Sequence, residues 1–313
     1  MRPRIISVGE ALVEIMRPSP GQPLDRPGEF IGPYASGAPA IMAVAAGRLG
    51  KEAGFIGAIG DDAFGRLLRN RFAEEGIDSS LVQTPEGCAT GVAFVAYKED
   101  GGREFVFHIR HAAAGVWRPE FLEPSYFSNV EWLHISGSTL ALSADCQATC
   151  ERALKLTKDN GGKLSFDPNL RVALMSIERS REVFAPFIQA AEVLLPTVEE
   201  AHFLSKTTDD DGAASLLLSR EEQIVVLKRG SEGCSVYHRG QRIDVAGFSV
   251  EEIDPTGAGD CFNAAFLLGL ENEWPLEKVA RFANAAGALA VTKQGPMEGA
   301  PTKDEIETFL ALH

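Results

Sequence analysis

Short apolar, β-branched runs alternate with amphipathic stretches along most of this chain. The runs Ile5–Val8, Phe55–Ile59, Trp132–Ile135, Leu164–Phe166, Val193–Leu195 and Ile224–Leu227 carry few polar positions, the pattern of strands buried on both faces. Between them, Pro39–Leu49, Phe64–Glu75, Ala144–Lys158, Arg181–Ala190 and Asp211–Leu218 have helical patterning. Pro39 near the start of the first and Gly50 just past its end are the expected punctuation. This alternation predicts an α/β fold, a mostly parallel sheet flanked by helices on both faces. Ligands of such sheets gather beyond the carboxyl ends of the strands.

Two stretches break the rhythm. Thr90–Arg110 reads as two alternating strands joined by a hairpin turn at Glu99-Asp-Gly-Gly102. On its second arm Phe105, Phe107 and Ile109 share one face, and Val106, His108 and Arg110 share the other. Leu12–Met16 and Glu29–Tyr34 also read as extended, separated by the Pro- and Gly-rich Pro18–Gly28. Together these segments predict a small sheet standing off the main one as a lid. A hairpin flap without substrate contact is the plainer alternative. The expected division is a core of residues 1–11, 35–88 and 112–313 and a lid of residues 12–34 and 89–111.

A length of 313 residues with 45% apolar and 24% charged residues suits one large globular core with an appendage. The formal net charge of −14 argues against a nucleic-acid partner, because phosphate backbones are bound mainly through Lys and Arg. It leaves room for a phosphorylated cofactor, which a few cations and the N–H groups of a helix start can hold. The opening Met1-Arg-Pro-Arg-Ile-Ile-Ser-Val-Gly9 runs straight into a strand, and no apolar run is long enough to span a bilayer. Five cysteines lack a disulfide-scaffold spacing, so a reducing cytoplasm is the expected compartment. Cys146 and Cys150 read as core thiols, and His108, His111 and His134 lack helical metal spacing.

The strongest chemical signal is Asp254-Pro-Thr-Gly-Ala-Gly-Asp260, followed at once by the apolar helical run Cys261–Leu270. A Gly-Ala-Gly turn at a helix start leaves several N–H groups unpaired with the helix dipole behind them, an anion hole for a phosphoryl group. Asp260 projects from the first turn toward the same spot. A carboxylate beside phosphate suggests a task, accepting the proton of an attacking hydroxyl. The plainer reading is that Asp260 caps its helix and the glycines make a turn. A helix start is expected to lower this carboxylate's pKa, and a weak base suffices if proton transfer comes late.

This segment with the following Cys-Phe-Asn-Ala-Ala-Phe-Leu267 resembles the C-terminal signature of the PfkB/ribokinase family of carbohydrate kinases. The N-terminal signature is matched by Ser36-Gly-Ala-Pro-Ala-Ile-Met-Ala43 leading to Gly57-Ala-Ile-Gly-Asp-Asp-Ala-Phe-Gly65. Phe166-Asp-Pro-Asn-Leu-Arg171 and Val226-Leu-Lys-Arg-Gly-Ser-Glu-Gly233 sit where the family has comparable segments, and the likeness runs from Gly9-Glu10 to Gly295-Pro296. Two ordered signatures are far more specific than a lone glycine motif.

The resemblance implies a ribokinase-like core with a β-sheet lid, and phosphorylation of a primary hydroxyl of a small sugar or sugar acid using ATP and Mg2+. It implies Asp260 as the base and the amides of Gly257, Ala258 and Gly259 as the anion hole. Glu200, the acid of the family's Asn-x-x-Glu motif, would hold Mg2+ through water. Thr197 stands in place of the asparagine, which implies a tuned metal shell. Lys228, Gly230 and Gly233 would border the nucleotide and Asn284 would lie near the adenine. Asp254 and Thr256 match a monovalent-cation loop, adding K+ to the implied ions. Plain helix or turn roles stay open for Asn284 and Thr256, as does a solvated strand end for Lys228-Arg229.

For the sugar, the resemblance points to Glu14, Gly37, Ala38, Ile41, Arg110, Asn169, Arg171 and Asp260. Glu14 replaces a commoner aspartate, and Ile41 replaces an asparagine that usually bonds a sugar hydroxyl. A hydroxyl left unpaired costs roughly 1–3 kcal/mol, which disfavours ribose or changes its pose. Arg110 and Arg171 are placed much as in 2-keto-3-deoxygluconate kinases, where such arginines face the sugar acid's carboxylate. Ser36–Ile41 with Gly295-Pro-Met-Glu-Gly299 resembles instead a tagatose kinase branch, and structural ion pairing of both arginines stays open. Fructose and tagatose are therefore candidates beside 2-keto-3-deoxygluconate. Lid-to-lid dimers are common among similar proteins, so a homodimer through the lid is expected. The rival from another class is a catalytically silent sugar- or nucleotide-sensing protein. A nicotinamide-dependent oxidoreductase is disfavoured, since no Gly-x-Gly-x-x-Gly follows the first strand.

Overall fold

The computed structural model describes residues 2–99 and 102–313. Its strands are β1 (Ile5–Val8), β2 (Leu12–Met16), β3 (Ile31–Ser36), β4 (Ala53–Ala58), β5 (Val82–Gln83), β6 (Gly91–Tyr97) and β7 (Arg103–His108). They continue as β8 (Trp132–Ser136), β9 (Lys163–Asp167), β10 (Val193–Leu194), β11 (Ile224–Lys228), β12 (Gly233–His238) and β13 (Gln241–Ala246). Helices α1 (Ala38–Arg48), α2 (Ala63–Glu74), α3 (Gly137–Leu140), α4 (Ala144–Asp159) and α5 (Ile177–Ala190) occupy the first two-thirds. The remainder are α6 (Val198–Ser205), α7 (Asp210–Leu217), α8 (Ala258–Glu271), α9 (Leu276–Ala290) and α10 (Lys303–Leu312).

The large sheet has nine strands in the order β13-β12-β11-β10-β9-β8-β1-β4-β5 among the described residues. From β5 to β11 every pairing is parallel. Side chains of β1 show why its strands read as nearly continuous apolar runs. Ile5 enters a core with α1, α8 and α9, while Ile6 and Val8 enter a second core with α4 and α5. Burial on both faces removes the polar alternation an exposed sheet would carry. At the other edge β12 pairs antiparallel with β11 and with β13. Only Arg229–Glu232 separates β11 from β12, too short for a parallel crossover, so the chain must turn back.

The second sheet has the order β3-β2-β6-β7. Strand β2 pairs in parallel with β6, Glu14 opposite Ala93, and β6 pairs antiparallel with β7, Ala93 opposite Phe107. At the expected hairpin turn, Lys98 N–H donates to the Gly102 carbonyl at 2.8 Å, while Asp100 and Gly101 lie outside the described residues. Strand β3 runs on past Tyr34 to Ser36 and joins α1 directly through Gly37. That junction needs glycine: φ is 107°, and a Cβ there would meet the Glu10 carbonyl at 2.4 Å. Lid strand and core helix are thus joined through a tight turn. No helix among the described residues is long and apolar enough to cross a membrane.

Candidate active site

A cavity opens where the carboxyl ends of the large sheet face the lid. Its floor is reached from strand ends: Glu10 follows β1, Ser138 follows β8, Asp167 ends β9, and Lys228 ends β11. Helix starts add Gly37, Ala38 and Ile41 from α1 and Gly257, Gly259 and Asp260 from α8. The lid supplies Leu12, Glu14, Arg103, Phe105 and Phe107.

The α8 start has the form its sequence predicts. Gly257 is the N-cap with φ 86°, and a Cβ there would meet the Pro296 carbonyl at 2.4 Å. Cys261 N–H is the first amide to find a helical acceptor, the Gly257 carbonyl at 2.9 Å. The amides of Ala258, Gly259 and Asp260 precede it and have no intrahelical partner. Above Gly259 there is room: a Cβ would come no closer to any neighbour than 3.6 Å, and that neighbour is Lys228 Nζ. The cradle is open and has a cation beside it.

Asp260 does not cap its helix, since Gly257 holds the cap position without a side-chain bond. Its carboxylate is buried, lines the cavity, and accepts no hydrogen bond from a donor among the described residues. Burial, with help from the nearby Asp167 carboxylate, pushes its pKa well above the usual range, against the opposing pull of Lys228 and Arg171. The low pKa expected from the helix start is therefore corrected. Loss of solvation outweighs the helix dipole.

Lys228 is not a solvated strand end. Its Nζ stands 2.7 Å from Asp167 Oδ2, which also accepts Asn263 Nδ2–H at 2.6 Å. This pairing holds the Asp167 pKa below its usual value despite burial. Glu200 lies close by, and burial with the Asp167 charge raises its pKa. Its Oε1 accepts Leu170 N–H at 2.7 Å and its Oε2 accepts Thr197 N–H at 2.9 Å. Thr197 Oγ1 accepts Glu200 N–H in return at 3.2 Å, a capping box at the start of α6. The residue in the expected asparagine position is thus first a helix cap, and it fixes the aim of Glu200.

Gly230, Gly233 and Asn284 do not line this cavity. They group around the β12–β13 ribbon, where Asn284 Nδ2 donates to the Val245 and Ala246 carbonyls, each at 3.1 Å. Gly233, with φ 101°, pairs with Ala246. Asp254 is fully engaged: Oδ1 accepts Thr256 N–H at 3.0 Å and the Tyr97 hydroxyl at 2.6 Å, and Oδ2 accepts Gly295 N–H at 2.9 Å.

At the other end of the cavity, Glu14 Oε1 accepts the Ser36 hydroxyl at 2.7 Å, while its buried Oε2 has no donor among the described residues. Burial pushes the Glu14 pKa to about 7. Glu10 accepts the Ser138 and Thr139 hydroxyls, each at 2.6 Å. Asn169, at φ 37°, donates from Nδ2 to Ser136 Oγ at 3.0 Å. Ile41 is buried, and its Cγ2 lies 3.2 Å from where a Gly257 Cβ would stand, so it packs beneath the cradle's first glycine.

The two arginines part company. Arg171 lines the cavity, and among the described residues its guanidinium donates only to the neighbouring Leu170 carbonyl, at 3.2 Å. Arg110 is outside the lining, its guanidinium donating to the Leu174 and Ala141 carbonyls. The alternation that brings Phe105, Phe107 and Ile109 to the cavity sends Arg110 to the opposite face. The paired clamp expected for a sugar acid is not assembled. Arg103 enters instead, on the same face as Phe105 and Phe107, whose rings stack with centroids 5.2 Å apart. The period-2 alternation that picked out Phe105 also marks Arg103. Glu10 and Asp167 were findable too, as the residues at or just beyond strand carboxyl ends.

Comparison with known proteins places the fold and the family. The model of the pfkB family carbohydrate kinase matches residues 2–303. Probable fructokinase-4 of Arabidopsis thaliana is 35% identical over 98% of this chain and 96% of its own. A putative ribokinase II from E. coli, solved in complex with ATP and Mg2+, superposes with a TM-score of 0.92 at 37% identity, covering 99% of this chain and 100% of that one. A fructokinase double mutant from Vibrio cholerae O395, in its fructose, ADP and potassium ion bound form, superposes with a TM-score of 0.85 at 28% identity, covering 99% and 98%. The fold is ribokinase-like, and the chain belongs to the pfkB family of carbohydrate kinases.

Proposed function

We propose that this kinase phosphorylates a primary hydroxyl of a neutral ketohexose, with fructose the first candidate. The observation that carries this reading is the charge of the sugar end. Glu10, Glu14 and Asp260 are carboxylates there, faced by Arg171 and Arg103, while Arg110 lies outside the lining. A sugar acid would add a further negative charge among them, whereas the unpartnered Glu14 Oε2 calls for a hydroxyl donor. The fructokinase relatives support the same choice.

ATP supplies the phosphoryl group, and Mg2+ screens its charge. Room above Gly259, the three free amides and Lys228 fit a phosphate there. No group of three or more His, Cys, Asp or Glu residues is arranged to hold a metal among the described residues. That suits Mg2+ bound largely by phosphates and water, with Glu200 contributing through water. A monovalent cation at Asp254 and Thr256 has less support, because the carboxylate already receives three hydrogen bonds. We place the base end of the nucleotide toward Gly230, Gly233 and Asn284. Asn169 and Arg171 would hold sugar hydroxyls, and Gly37 and Ala38 would let the sugar lie against the start of α1. Asp260 then orients the attacking hydroxyl and takes its proton as the oxygen–phosphorus bond forms and the bond to the departing ADP breaks. Phe105 and Phe107 exclude water from that step.

The silent-sensor alternative is set aside by family membership together with Asp260 facing an open cradle. We also assign a homodimer to the lid's outer face, where Phe30 and Val106 are exposed, and a cytoplasmic location in keeping with five free thiols. ADP release with ATP and Mg2+, measured across fructose, tagatose, ribose and 2-keto-3-deoxygluconate, tests the substrate. The expected leader in kcat/KM is a neutral ketohexose. A sugar acid ahead by about tenfold, equivalent to 1.4 kcal/mol, would overturn the reading.

A further inference from the structure

Tyr97 ends the lid strand β6, on the face it shares with the buried Ala93 and Val95. Its hydroxyl leaves the lid altogether. It donates to Asp254 Oδ1 at 2.6 Å and stands 3.2 Å from Thr256 Oγ1. Asp254 belongs to the core loop that enters the phosphate cradle at Gly257. The same carboxylate accepts Thr256 N–H and Gly295 N–H. Gly295 precedes Pro296, whose carbonyl packs against Gly257. Three segments therefore meet at one carboxylate: the lid, the loop that leads into the cradle, and the loop that braces the cradle's first glycine.

We infer that Tyr97 is a positioning residue that couples closure of the lid over the sugar to the shape of the phosphate cradle. When the lid lifts, Asp254 loses one of three donors, and the loop that sets the backbone of Gly257 loses one of its anchors. A hydrogen bond to a carboxylate is of the stronger, charge-assisted kind, so its loss is felt at both ends. Coupling of this sort is reciprocal: sugar that closes the lid favours the cradle that holds phosphate, and bound phosphate favours the closed lid. The inference rests on the kinase reading of the cradle.

The test is Tyr97→Phe, which keeps the ring and removes only the hydroxyl. Binding of ADP with Mg2+ is measured by calorimetry with and without saturating fructose, or tagatose if fructose shows no binding to the wild type. In the wild type the sugar is expected to tighten ADP binding by about fivefold or more, and in the variant this factor should fall to within about twofold of unity. An unchanged factor, or no factor in the wild type, would overturn the inference. A structural role alone would lower the active fraction and leave the factor intact. A second arm needs no sugar. Amide exchange in the peptide 91–108 of the ligand-free protein should quicken by about threefold or more while that of 132–136 stays constant. Equal rates in variant and wild type would also overturn it, independently of which sugar the enzyme uses.

Discussion

The floor of the cavity and its lid are built from different materials. On the floor, Asp167, Lys228, Glu200 and Glu10 are each held by short hydrogen bonds to groups on neighbouring strands and helices. Their positions follow from a sheet buried on both faces, which cannot shift without breaking two cores. The lid offers a different surface, two stacked phenylalanines with Arg103 and Glu14, and the outer face of β7 is exposed. Charge on the floor must be fixed before the reaction, because a preorganised dipole costs no reorganisation when the transition state forms. In the proposed mechanism the lid closes over the sugar, and Tyr97 gives it a specific contact with the core. On the proposed reading, the difference assigns phosphate chemistry to the floor and choice of sugar to floor and lid together.

The largest expected effect breaks the floor alone. Asp260→Asn should lower kcat by more than about a hundredfold while ADP binding by calorimetry stays within about twofold. Near-normal turnover in a clean preparation would move the base to another residue. The arginines sharpen the contrast at a smaller scale. Arg171→Ala should raise the sugar KM by roughly tenfold, in line with loss of a hydrogen bond from a charged donor. Arg110→Ala should leave the KM within about twofold and cost about 1 kcal/mol of stability in urea melts, because its bonds go to backbone carbonyls. Equal KM effects from the two would restore the paired clamp.

The smallest effect is a pH dependence seated on the lid. Burial raises the Glu14 pKa from the ordinary 4.5 to about 7. Below that value the folded protein carries a protonated Glu14, whereas above it the ionised Oε2 can accept from a sugar hydroxyl. The sugar KM should therefore fall several-fold as pH rises through about 7, and Glu14→Gln should flatten the profile. Between about 4.5 and 7 the folded state binds more protons at this group than the unfolded state does. Its contribution to stability accordingly declines as pH rises through that window. A KM profile with the same slope in Glu14→Gln would remove this assignment.

Much of the floor was legible in the residues themselves. Ile5–Val8 is a strand as read, and Ala144–Lys158 falls one residue short of the observed helix. The Gly-Ala-Gly turn announces its geometry because a residue at φ 86° against a carbonyl has to be glycine. The lid was less legible. Alternation finds its strands, yet the same alternation sets Arg110 opposite Phe105 and Phe107, and the extended reading runs two residues past the end of β7. Strand ends depend on which neighbour is available to pair, and that neighbour is chosen by the fold. Tyr97 carried no signal at all, since its partner lies 157 residues away.

Local pattern determined what depends on local geometry: the parallel core from its periods, the cradle from its glycines, and Asp260 from its place in the first turn of α8. Tertiary structure alone decided which charges survive burial together. It raised the pKa of Asp260 beside Asp167, matched Lys228 with a carboxylate from another strand, and withdrew Arg110 to backbone carbonyls. The physical reason is range. Dihedral preference and side-chain period act over a few residues, whereas desolvation and charge pairing depend on what the folded chain brings from far away.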